Sequence, residues 1–288
     1  MPDFLLQTVF NASYAASYMA LVAVGLVLIF GVMGVINFAH GELYMAGAYA
    51  IVFFYAWLGL PFVVAVGLGL CFAGCLGVLM ELALFRPLRT NPLGGLIASI
   101  GFLLILQTLA VLGFGLRNQT VPPVSQGRLT IGGAILTYER LYVIVATVVL
   151  LALLWLFLRR SKFGWALRAC AQDREAAALQ GISINQTARY AMFIGAALAG
   201  VAGAMTAPLV APSPFMGHGI IVTAFIIIIV GGIGSLEGAV LAAVLYAFVH
   251  TFVTTFFDGV IANIVGLLLM LAVLVVKPQG LFGVRERA

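Results

Sequence analysis

Nine stretches of mostly apolar residues, 13–38, 43–60, 61–84, 93–115, 141–158, 189–213, 219–233, 237–256 and 259–276, take up most of this chain and restrict its fold more than any other feature. A helix rises about 1.5 Å per residue, so about 20 residues cross a hydrocarbon core of roughly 30 Å. Several runs reach that length, and the shorter ones imply tilt or incomplete crossing. Helices are expected rather than barrel strands. The segment 220–230, interrupted only by Thr223, lacks the alternation of a membrane strand, and a helix satisfies its own backbone polar groups in lipid.

Composition agrees with this reading. The chain is 64% hydrophobic and 8% charged, against about 25% charged in a soluble domain, which is too little charge to cover a soluble surface. The expectation is an all-α polytopic membrane protein, one transmembrane domain over 1–288, with about nine transmembrane helices and a range of roughly seven to ten. No soluble enzyme is expected, and no cofactor. The net charge of +5 does not call for nucleic acid, because the basic residues fall in short loops between spans, where they report topology. Met1-Pro2-Asp3 lacks the basic start of a cleavable signal peptide, so none is expected. Cys71 and Cys75, in one apolar run, read as small buried packing residues; with Cys170 the cysteine count is odd, and neither a disulfide framework nor a metal site is expected.

The basic residues cluster in three places: Arg86 with Arg89; Arg159, Arg160, Lys162, Arg168, Arg174 and Arg189; and Lys277, Arg285 and Arg287. An odd number of crossings puts all three on the cytoplasmic side, with the N-terminus out and the C-terminus in. The cost is that 116–140, with Arg117, Arg128 and Arg140, lies outside.

Small residues recur at four-residue intervals at Gly195, Ala199 and Gly203, beside them at Ala196, Gly200 and Ala204, and earlier at Gly69, Ala73 and Gly77. Such strips let helix backbones approach closely, as packing surfaces or beside a substrate path. The run Gly231-Gly232-Ile233-Gly234-Ser235-Leu236-Glu237-Gly238 lacks the lysine of a phosphate-binding loop. It reads either as an interfacial turn or as a discontinuous helix beside a transport route. Pro208, Pro212 and Pro214 end the helix before them, where fixed φ and missing donors stop it.

Between the first two runs lies Asn37-Phe38-Ala39-His40-Gly41-Glu42. His40 and Glu42 are expected close to the cytoplasmic face, where they cap a helix break, serve transport or gating, or couple protons. With Asn37 they are the candidate substrate-path residues. His218 and His250 read as interface anchors near outer helix ends. No nucleophile with an orienting partner can be placed, so no catalytic residues are assigned.

The loop 159–188 contains a second helical signal. Asp173 suits an N-cap, 174–180 are mostly strong helix formers, and Gly181 followed by Ile182 suits a Schellman cap. A short cytoplasmic helix with an alanine patch at Ala176, Ala177 and Ala178 is expected. It either inserts into a groove on another protein or, with Trp165 and the basic residues, lies on anionic lipid.

Glu175-Ala176-Ala177 followed by Gly181 resembles the EAA-and-glycine signature of bacterial ABC transporter permeases. The stretches Gly31–Glu42, 225–238 and Lys277-Pro278-Gln279-Gly280-Leu281-Phe282-Gly283 make the whole chain similar to branched-chain amino acid ABC transporter permeases of the LivH type. That resemblance implies an inner-membrane subunit that pairs with a second, related permease, two cytoplasmic ATP-binding subunits and a periplasmic solute-binding protein. The expected cargo is leucine, isoleucine and valine, imported by alternating access, with other amino acids, amides or urea as family alternatives. Coupling to the ATPase transfers onto Glu175, Ala176, Ala177 and Gly181. From outside the family, an ion-coupled secondary transporter needs an essential mid-membrane carboxylate, whereas Glu42, Glu81 and Glu237 are expected near span ends.

Overall fold

The computed structural model describes residues 2–283, so Arg285 and Arg287 of the third basic cluster lie outside the described residues. Helix α1 spans Pro2–Met33, α2 His40–Ile51 with a π-helical continuation Val52–Trp57, α3 Phe62–Met80 with a π-helical continuation Glu81–Phe85, and α4 Pro92–Phe114. Strands β1 (Arg128–Ile131) and β2 (Ala134–Thr137) follow, then α5 Tyr138–Arg160, α6 Lys162–Gln172, α7 Arg174–Leu179, α8 Ile184–Thr206, α9 Met216–Gly231, α10 Leu236–Phe256 and α11 Gly259–Val276. Seven helices among the described residues are long and apolar enough to cross a membrane; α9 is apolar but shorter.

The expectation of an all-α polytopic membrane protein holds for the spanning elements, and one element boundary is corrected. Outside the spanning helices, the polar segment 116–140 carries a short antiparallel hairpin in which Arg128 pairs with Thr137 and Ile131 with Ala134. The first apolar run does not continue as helix to 38: α1 stops at Met33, and Gly34 takes φ +63 where the chain turns.

Small residues set the packing. α8 lies at the centre, with α1 and α2 on the strip of Gly195, Ala199 and Gly203, α3 on the strip of Ala196, Gly200 and Ala204, and Gly47 of α2 also against Gly200. A Cβ on Gly195 would lie 2.6 Å from the Gly25 carbonyl oxygen of α1, while Gly203 lies directly on the Tyr44 backbone of α2. On the neighbouring strip Ala196 faces Gly77, Gly200 faces Ala73 and Ala204 lies near Gly69. In lipid there is no hydrophobic drive between helices, so this close van der Waals contact is what the strips contribute. The strip on α3 also explains a correction: Gly69, Ala73 and Gly77 take its inward face, so Cys71 and Cys75 are exposed rather than buried. The outward faces of α3, α4, α5 and α11 are apolar, with Val63, Leu112, Val148 and Val276 strongly exposed, as suits contact with lipid.

The bundle has two distinct ends. At one, Gln7 of α1 exchanges hydrogen bonds with the backbone of Ile135 (Ile135 N–H to Gln7 Oε1, 2.8 Å; Gln7 Nε2 to Ile135 O, 3.1 Å), and Arg140 donates to Asn11. At the other, Arg174 reaches the last turn of α1, Arg89 reaches Asn185 at the start of α8, and 281–282 pack on the end of α9. The glycine-rich 231–238 segment is a turn at this second end: α9 finishes at Gly231, and Ser235 Oγ caps α10 by accepting from Gly238 N–H at 3.0 Å. The Leu281 and Phe282 N–H groups donate to the Val230 and Gly231 carbonyls at 2.8 and 3.0 Å, satisfying acceptors that the end of α9 leaves open.

Candidate functional site

Residues 34–39 run back into the bundle beside α4. Val35 packs near Gly95, and Phe38 N–H donates to Ser99 Oγ at 3.2 Å. Asn37 Oδ1 accepts from Ala39 N–H at 3.0 Å, closing the turn that starts α2. His40 donates through Nε2 to the Val22 carbonyl at 3.0 Å. Val22 lies roughly 16 Å along α1 from its Met33 end, so His40 is deep in the bundle, not near the face where it was expected. The sequence places these residues after a helix; it does not reveal that the next six residues fold back inside.

Glu42 is deeper still. Gln107, about 22 Å along α4 from Pro92, donates from Nε2 to Glu42 Oε1 at 2.9 Å and to His218 Nδ1 at 3.0 Å. His218, expected as an outer anchor, thus joins Glu42 from the first turn of α9. Gly41 rests on the backbone of Gly217, so the N-terminal ends of α2 and α9 meet inside the bundle. A Cβ on Gly217 would lie 2.6 Å from Glu42 Oε1, so the missing side chain makes room for the carboxylate. Tyr44 OH shares a hydrogen bond of 2.7 Å with Thr206 Oγ1 at the end of α8. Asn37, His40 and Glu42 are all fully buried, but of the three only Glu42 joins the cluster with Gln107 and His218. Gln107 goes beyond the residues expected from the sequence; the signal that points to it is a lone amide inside an apolar run.

At the second end of the bundle, α6 and α7 form the surface loop. Asp173 Oδ1 accepts from Ala176 N–H at 2.9 Å. Gly181 has φ +81, its N–H donates to Ala178 O at 3.0 Å, and Ile182 N–H donates to Ala177 O at 3.1 Å, the last being the long-range bond of a Schellman cap. The alanine patch divides: Ala177 is buried against the protein, while Glu175, Ala176, Ala178 and Gly181 face out. Leu179, not picked from the sequence, is 87% exposed and is the largest apolar group on that surface. In α6, Leu167 and Cys170 turn inward while Phe163 and Trp165 stay exposed. Burial pushes the Cys170 thiol up, and burial together with the nearby Arg89 charge lowers the Arg174 guanidinium. Close by, Glu81 at the end of α3 is fully buried and accepts from Arg89 at 2.8 Å, and Arg89 also donates to Asn185 Oδ1 at 2.5 Å.

Residues 8–276 match the sequence profile of the family described as branched-chain amino acid transport system / permease component. The high-affinity branched-chain amino acid transport system permease protein LivH of Escherichia coli K12 is 32% identical over 296 residues, covering 97% of this chain and 96% of its own length. The corresponding permease protein BraD of Pseudomonas aeruginosa is 32% identical over 293 residues, covering 96% and 95%. A probable branched-chain amino acid transport permease protein LivH of Methanocaldococcus jannaschii is 26% identical over 295 residues, covering 93% and 90%. Among solved structures, PsaBC from Streptococcus pneumoniae in complex with Fab superposes with a TM-score of 0.55 at 14% identity, covering 94% of this chain and 92% of that one; the likeness is one of fold alone.

Proposed function

Because the chain belongs to the family of branched-chain amino acid transport system permease components, we propose that it is the membrane subunit of an ATP-driven importer that carries leucine, isoleucine and valine. It is a transport subunit and not an enzyme, and it resides in the bacterial inner membrane as a multi-pass protein. The observation that carries this reading is the family match along nearly the whole chain. In the assembled importer the chain pairs with a second, related permease, two cytoplasmic ATP-binding subunits and a periplasmic solute-binding protein.

In this reading the chain crosses nine times, N-terminus out and C-terminus in, with α2 and α9 as incomplete crossings that begin inside the bundle. The end carrying Arg89, α6, α7 and Lys277 faces the cytoplasm, in keeping with the positive-inside bias. The surface of α7 formed by Glu175, Ala176 and Gly181, with Ala177 behind it, is the handle on which the ATP-binding subunit acts. Nucleotide binding biases the bundle between two packings and moves the cavity from one side to the other. The path runs by Asn37, His40 and Glu42, where buried polar groups and the starts of two helices match a zwitterion's charges.

The test is ATP-dependent uptake by the full complex in proteoliposomes, with leucine, isoleucine and valine set against other amino acids, amides and urea. Saturable uptake of the three branched-chain substrates that needs ATP and the binding protein is expected. Uptake driven by an ion gradient with the ATP-binding subunits left out would overturn the reading.

A further inference from the structure

Two glutamates are fully buried among the described residues, and the protein treats them differently. Glu81 has the Arg89 guanidinium at 2.8 Å, the only ion pair among the described residues. Glu42 has no cation. Its Oε1 accepts from the neutral amide of Gln107, and its Oε2 has no hydrogen-bond partner. An acidic group at this depth is expensive unless a charge offsets it, and groups of this kind mark substrate and ion pathways.

The surroundings are built for the carboxylate and leave its counter-charge open. Gly41 and Gly217 give up side chains so that the two helix starts can close around it. Gln107 uses its amide nitrogen on both Glu42 and His218, which fixes the carboxylate and leads from it to the exposed imidazole on α9. We propose that Glu42, held by Gln107 and linked through it to His218, receives the α-ammonium group of the amino acid substrate. The cation absent from the protein is then the one the cargo brings. An amide or urea has no full positive charge to offer, so the site selects amino acids from the wider set of solutes. Glu42 Oε2 is covered in the present packing, and parting α9 from α2 at Gly41 and Gly217 uncovers it. The proposal rests on the transport reading above.

The test uses the full complex in proteoliposomes, comparing leucine uptake by wild type, Glu42→Gln and Glu42→Asp, each normalised to assembled complex. Glu42→Gln keeps size and hydrogen bonding but removes the charge, and its uptake should fall at least about tenfold. Glu42→Asp should recover part of that loss. Wild-type uptake alongside an unaffected Glu42→Gln overturns this inference alone; a wild type that carries no leucine overturns the transport reading together with it. Should Glu42→Gln not assemble, labelling of Glu42 in the wild type with a hydrophobic carbodiimide, read by mass spectrometry during turnover, decides. Leucine should slow the labelling, and 4-methylpentanoate, with the same side chain but no ammonium, should not. Equal labelling with both overturns the proposal.

Discussion

Arg174, the first residue of α7, donates from Nη2 to the carbonyl oxygen of Val32 at 2.8 Å, so the surface helix holds the last turn of α1 just before the chain folds back toward Glu42. The bond serves two ends at once. It satisfies a carbonyl that the end of α1 leaves open, and it joins α7 directly to the end of α1 that leads into segment 34–39. If α7 is the coupling helix proposed above, its movement would act on the approach to the buried cluster through this bond.

Removing that tie should uncouple the transporter. Arg174→Ala loses a hydrogen bond from a charged donor, a class that contributes about 1.5–3 kcal/mol, while leaving the spanning helices untouched. Expression and membrane insertion should stay near wild type, ATP hydrolysis by the complex should persist, and leucine uptake per ATP should fall roughly tenfold. Parallel assays of uptake and phosphate release check this. Unchanged stoichiometry would remove Arg174 from the coupling path.

Gly181 offers a second probe of the same handle. A Cβ there would meet nothing within 4 Å, so the obstacle to substitution is the backbone, held at φ +81. Valine in the left-handed region costs about 1–2 kcal/mol and would break the cap, whereas asparagine visits that region readily. Gly181→Val should lose coupled uptake while still inserting, and Gly181→Asn should keep most of it. Equal uptake by the two variants would show that the cap geometry does not matter to coupling.

The contacts at α8 separate glycines that pack from glycines that do not. Gly203 lies against the Tyr44 backbone, while Gly101 on α4 has open space around it. Gly203→Val forces α2 off α8, an overpacking that costs about 1–3 kcal/mol and often more where backbone is the neighbour. It should lower the yield of folded protein sharply, as read by size-exclusion chromatography in detergent. Gly101→Val should behave as wild type. Comparable yields would contradict the close helix approach.

Much of this was legible in the sequence, and the losses have a common cause. Apolar run lengths gave the outer helices to within a few residues, because each such helix is apolar around most of its surface. The Asp173 and Gly181 caps were readable because capping is local chemistry. The four-residue strips named the packing surfaces, since side chains four apart share a face. What was lost is what depends on the path of the chain in three dimensions. Nothing local in Gly34–Ala39 says that it turns back inside, so the sequence alone puts His40 and Glu42 too shallow and does not join them to Gln107 and His218, which are distant in sequence. Cys71 and Cys75 read as buried from residue type alone, whereas the strip of Gly69, Ala73 and Gly77, also readable in the sequence, marks the other face of α3 as the packing one. The division of the alanine patch, with Ala177 inward and Leu179 outward, likewise follows from how α7 sits on the bundle.

The pair Glu81–Arg89 supplies a last prediction, one about stability. Glu81 is completely buried at the end of α3, and Arg89, 24% exposed, reaches both it and Asn185. Desolvating both charges offsets much of their attraction, so the pair itself contributes little net stability, but removing one member leaves an uncompensated buried charge. Arg89→Ala alone should therefore be the worst of the set, destabilising by at most about 3–5 kcal/mol, since the Arg189 and Arg86 charges still act on Glu81. Glu81→Gln alone should cost less, because Arg89 can turn toward water and keep Asn185. In the double variant the glutamine removes the charge that made Arg89→Ala so harmful, and much of the loss should be recovered. Thermal unfolding of the four proteins in detergent gives the cycle directly. A strictly additive double variant would mean that the two side chains do not depend on each other, and that the contact between them holds nothing in place.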